Sequence, residues 1–125
     1  MRILGWENIN TLTTTNNYAS LLKELQRYEE AKSLICKTMP VARRVLGEFH
    51  EVTIKMLWVH ADILCENNSS TLDDLRELLN TLEDSARGAK QVYGASHPFA
   101  KGFLYHIECS RLVIAARETP SPGSP

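Results

Sequence analysis

The chain has 125 residues, 43% of them hydrophobic, with 14 lysines and arginines against 15 aspartates and glutamates. That length allows one domain with a core of its own, and the near-balanced charge gives no reason to expect a nucleic-acid or membrane-surface partner. With no stretch of about 18 apolar residues, nothing in the sequence spans a membrane as a helix.

The N-terminus carries no apolar run behind a basic start, so no secretory signal is read. Cys36, Cys65 and Cys109 are an odd number at wide spacings and read as reduced thiols, which fits a cytoplasmic protein. In chain order, residues 1–11 read as a linker. Apolar or small residues then recur at three- and four-residue steps in five segments, the pattern of amphipathic helices.

The first segment covers 12–25, with Leu12, Tyr18, Ala19, Leu22 and Leu25 on one side. The second covers 28–46, and only Gln26-Arg27 separates the two, which predicts an antiparallel hairpin. Pro40 lies inside the second helix, where it removes a hydrogen bond and is expected to kink the helix near Cys36–Lys37. Gly47 stands where a positive φ would end it, with Arg43 and Arg44 in the last turn.

A third helix is expected over 51–66, carrying Ile54, Leu57, Ala61 and Leu64, before the polar loop Asn67-Asn68-Ser69-Ser70. Thr71 followed by Asp73 and Asp74 reads as an N-cap and an acidic first turn, opening a fourth helix that ends before Gly94. Pro98 suits the first position of a fifth helix running to about 117. The proline-rich end, 118–125, is expected to be a disordered tail.

These segments repeat. Leu4-Gly5 returns as Leu46-Gly47 after 42 residues and as Tyr93-Gly94 after another 47. At the first shift Leu12 matches Ile54, Ala19 matches Ala61 and Leu22 matches Leu64; at the second Ile35 matches Leu82, Ala42 matches Ala89 and Gly47 matches Gly94. The five-residue difference falls in the Asn-Ser loop, where an insertion leaves the apolar faces aligned. A repeat of this length predicts stacked helix pairs.

The stretch from Asn16 to Ala31, followed by Val45-Leu46-Gly47-Glu48-Phe49-His50, resembles a tetratricopeptide repeat of the kinesin-light-chain type. Ala19 and Ala31 stand at its small-residue positions and Tyr28 at the aromatic that opens its second helix. The resemblance implies an all-α, tetratricopeptide-like solenoid of helical hairpins: a first repeat at 12–53, a second at 54–97 and a capping helix at 98–117. The leading Leu4-Gly5 suggests the remnant linker of a preceding repeat, hence the C-terminal fragment of a longer array. With fewer than about three full repeats, marginal stability and self-association through an uncapped N-terminal edge are expected.

In this family the first helix of each pair lines a groove that binds extended peptides. Carried onto this chain, the resemblance marks Asn16, Asn17, Ser20 and Lys23 on the first helix and Lys55, Trp58, Asp62 and Glu66 on the third. An asparagine amide both donates and accepts, matching a peptide backbone, and Trp58 offers an apolar anchor. The plainer reading makes these residues a solvated face, with Trp58 packed on a neighbouring helix.

Other chemistry finds little footing. His106 and Cys109 share a helical face, but two ligands fall short of the four a structural zinc site needs. His50 and His97 occupy equivalent linker positions, which repeat geometry explains more simply than catalysis does. No nucleophile with an orienting base, no phosphate loop and no basic strip for RNA is readable. The sequence thus points to a protein–protein interaction module without enzyme activity, metal or other cofactor. The alternative is a structural end-piece of a longer array with no ligand of its own.

Overall fold

A computed structural model describes residues 8–119. Among them are five α-helices: α1 (Ile9–Glu24), α2 (Tyr28–Leu46), α3 (Glu51–Glu66), α4 (Leu72–Tyr93) and α5 (Pro98–Glu118). The fold is all-α and built of helical hairpins, and no strand occurs among the described residues. It divides into two compact units, Met1–Asn67 and Asn68–Pro125.

In the first unit α1 packs on both α2 and α3, and α2 packs on α3. Successive helices run antiparallel, so α1 and α3 point the same way. Ala19 and Ala31, both fully buried, leave no bulk between α1 and α2. Leu12, Leu22, Ile35, Ile54 and Leu64 fill the core around them. At about 25 cal/mol per Å², each such side chain contributes roughly 1.5–3 kcal/mol on burial.

The turn from α1 to α2 is a Schellman motif. Gln26 adopts a left-handed φ of 62°, the Arg27 amide donates to Leu22 O at 2.8 Å, and the Gln26 amide donates to Lys23 O at 2.8 Å. At the α2–α3 linker Gly47 has φ 100° and ψ 158°, a region open in practice only to glycine. The His50 Nδ1 atom then caps α3 by accepting from the Val52 amide at 3.1 Å.

In the second unit α4 and α5 form one antiparallel hairpin, whose core holds Leu75, Leu78, Leu82, Ala89, Phe103 and Ile114. Its linker repeats the first unit's in detail. Gly94 has φ 95° and ψ 155°, and His97 Nδ1 accepts from the Phe99 amide at 3.0 Å. Thr71 opens α4 with a capping box: its hydroxyl accepts from Asp74 N at 3.0 Å while the Asp74 carboxylate accepts from Thr71 N at 3.4 Å.

The structure departs from the sequence reading at three places. Helix α1 begins at Ile9, inside the stretch read as linker, because Asn8 supplies an N-cap by accepting from Asn10 N at 2.7 Å. Tyr18 and Leu25, expected on the apolar side, are exposed, and Asn16 takes a buried place on α1 instead. Helix α5 extends through Glu118, where the Arg76 guanidinium pairs with the Glu118 carboxylate. The rest of the expected linker and tail, 1–7 and 120–125, lies outside the described residues.

Candidate functional site

Seven residues are two turns of helix, so Asn16 and Lys23 share one stripe of α1, with Ser20 between them. That stripe meets α3. Lys23 Nζ lies 3.9 Å from Asp62 and 3.6 Å from Glu66, both on α3, and 3.4 Å from Glu24 on its own helix. On α3, Lys55, Trp58, Asp62 and Glu66 fall at three- and four-residue steps and so line one face. Asn17 is exposed, while Ser20 and Trp58 are half-buried. Lys55 is engaged along its own helix, with Nζ 2.7 Å from Glu51, and this pair holds the Glu51 carboxyl below its ordinary pKa.

The Lys23 side chain is 12% exposed. Burial pulls its pKa down, but the attraction of Glu66 and then Asp62, with Glu24 adding a hydrogen bond and its charge, leaves the ammonium above the ordinary lysine value. The Asp62 carboxyl is displaced upward: burial raises it, Lys23 lowers it and Glu24 raises it further. The two partners differ because three carboxylates share the lysine, whereas Asp62 meets it only at 3.9 Å.

Asn16 is the unusual member. It is 91% buried (9% exposed), and its Oδ1 atom makes no hydrogen bond. A buried amide oxygen left without a donor costs about 1–3 kcal/mol. An apolar side chain at this position would leave no such oxygen unsatisfied.

The histidines take structural parts. His50 and His97 are the N-caps of α3 and α5. His106 is buried beside the ring of Tyr105, with centroids 5.2 Å apart, and Cys109 is half-buried one turn on. Among the described residues no group of three or more histidines, cysteines or acids could hold a metal ion. No helix among them is long and apolar enough to cross a membrane.

The α1–α2 hairpin, its tight turn and the Gly47–His50 linker form one continuous stretch with a signature of its own. Residues 11–51 match the family model of the tetratricopeptide repeat. No curated protein and no solved structure matches the chain. The tetratricopeptide repeat match spans nearly all of α1, the whole of α2 and the first residue of α3. It contains Asn16, Asn17, Ser20 and Lys23, the part of the candidate face that α1 supplies.

A second feature escaped the sequence reading. Between the C-terminal half of α4 and the N-terminal half of α5 lies an open groove of about 410 Å³, floored by Ala86, Ala100, Leu104 and Ile107. Its signal was present in the repeat register. Shifted by 47, Ile54, Ala61 and Leu64 of α3 become Lys101, Glu108 and Arg111 of α5, all exposed.

Proposed function

We propose that the face shared by α1 and α3 binds an extended segment of a partner protein, in the manner of a kinesin-light-chain-type tetratricopeptide repeat. Tetratricopeptide repeats generally mediate protein–protein interactions. The observation that carries the reading is Asn16: an amide kept in a buried position at a cost to stability, on the stripe of α1 that turns toward α3. Unsatisfied polar groups of this kind concentrate at functional positions, and rotation of the buried Asn16 amide toward the groove would let a ligand complete its hydrogen bonding.

On this reading Asn16 and Asn17 address the peptide backbone, Trp58 supplies an apolar anchor, and Lys23 with Asp62 and Glu66 closes one end electrostatically. Ser20 and Lys55 line the path between. The chain acts as a binding module in the cytoplasm, where its three free cysteines stay reduced, and performs no chemistry. The division into repeats at 12–53 and 54–97 with a capping helix at 98–117 belongs to the same reading. Ile9, Tyr18 and Leu21 on α1 and its C-cap residue Leu25 are exposed and support self-association through this side of the helix.

A peptide-display selection against the whole chain tests the proposal, with Asn17→Ala and Trp58→Ala as counter-selections. Enriched peptides that lose binding to both variants are the expected result. A selection without enrichment, or peptides indifferent to both changes, leaves the chain a structural end-piece.

A further inference from the structure

We infer that the groove between α4 and α5 is a second docking site, taking a short segment of a partner protein that offers a bulky apolar side chain flanked by carboxylates. The groove lies wholly within the second unit and involves none of the residues proposed above. The inference therefore stands apart from the α1–α3 proposal.

Equivalent positions of α3 and α5, 47 residues apart, differ in burial. Leu57 of α3 is 4% exposed, while its counterpart Leu104 on α5 is 63% exposed. Met39 of α2, 6% exposed, corresponds to the half-buried Ala86 of α4. A surface that is core in one unit is thus open in the other, and Leu104 with Ala86, Ala100 and Ile107 forms an apolar floor.

A long helix is not the fitting occupant. Helix α5 carries Lys101, Glu108 and Arg111 where α3 has Ile54, Ala61 and Leu64, so a helix lying along it would bury charges on every turn but one. Only the stretch around Leu104 stays apolar. A volume of about 410 Å³ suits one or two large side chains.

The rim supplies the charge preference. Glu83 is occupied by Arg111 at 2.8 Å, and Arg87 pairs with Asp84. Lys90 lines the groove and Lys101 follows Ala100 on α5, both exposed. Glu108, also exposed on this face of α5, offsets one of the two lysines, so the net charge left at the rim is positive and favours an acidic-flanked ligand. It also opposes a second copy of this chain, since a two-fold pairing through the groove would set Lys90 and Lys101 against themselves.

The test uses the whole chain, labelled with nitrogen-15, and two capped peptides: Glu-Glu-Leu-Phe-Glu-Glu and Lys-Lys-Leu-Phe-Lys-Lys. The acidic peptide is expected to shift amides in 83–90 and 100–107 saturably, and the basic peptide to leave them unmoved. Leu104→Glu should abolish the shifts and Lys90→Glu should weaken binding at least about tenfold. Both positions are exposed, and circular dichroism checks that each variant keeps its helices. Equal binding of both peptides, no shifts, or shifts that survive Leu104→Glu would each overturn the proposal. So would sedimentation of a dimer that Leu104→Glu disperses, because the occupant would then be a second copy.

Discussion

Asn16 and Gly94 occupy their positions for opposite reasons. Gly94 serves the backbone: at φ 95° and ψ 155° a side chain is strained, although a Cβ there would meet no atom within 4 Å. Gly94→Ala should therefore cost about 1–3 kcal/mol through backbone strain alone, read as a lower midpoint in urea unfolding. Asn16 keeps a buried oxygen without a hydrogen bond, and that is why it bears on function. Asp62 sits between these cases. Its folded pKa is raised above 3.8, so the folded chain holds that proton more tightly than the unfolded one. Stability from this group is greatest below pH 3.8 and falls as pH rises through the folded value. Asp62→Asn should be at least as stable as the parent at pH 7 and converge with it below that point, measured by urea unfolding across the acid range. Lys23 has the reverse window: with its folded pKa raised above 10.5, its contribution is intact below that pH and disappears as pH climbs through the folded value.

Helices α2 and α4 were the most legible elements, with α2 over the residues read for it and α4 opening at Thr71 and ending before Gly94. The capping box at Thr71, the glycines at 47 and 94 and the two-residue turn at Gln26-Arg27 all carry residue types whose backbone chemistry fixes a boundary. The start of α1 was missed because Asn8 caps it ahead of any apolar periodicity, and a cap read without an apolar run looks like loop. Tyr18 and Leu25 were assigned inward because spacing alone does not say which of two adjacent stripes a helix buries. Packing by α2 and α3 chose the stripe through Leu12, Ala19 and Leu22, with Asn16 beside it. Pro40 lies inside α2 on its exposed side, with helical backbone before and after it. Pro40→Ala restores the missing amide at an exposed position. It should stabilise the chain by up to about 3 kcal/mol, seen as a higher thermal midpoint.

Across the molecule, the repeat register carries most of what the sequence says. It aligns the two Gly–His linkers, whose backbone angles and histidine caps agree closely between the units. The family resemblance, not the register, marked Lys23, Asp62 and Glu66, whose side chains meet between α1 and α3. The register could not say that Lys23 would spend its charge on those carboxylates, nor that Asn16 would be buried, because both depend on how closely α1 approaches α3. The α4–α5 groove was equally hidden, since an apolar-to-charged change on one helix face reveals an opening only once its partner helix is placed. The binding account rests on Asn16. The most direct measurement pairs calorimetric titration of a display-selected peptide with thermal unfolding, on the parent chain and on Asn16→Leu. The expected result is affinity weakened at least about tenfold, with a midpoint equal to or above the parent's. Unchanged affinity in a folded Asn16→Leu chain would contradict the account.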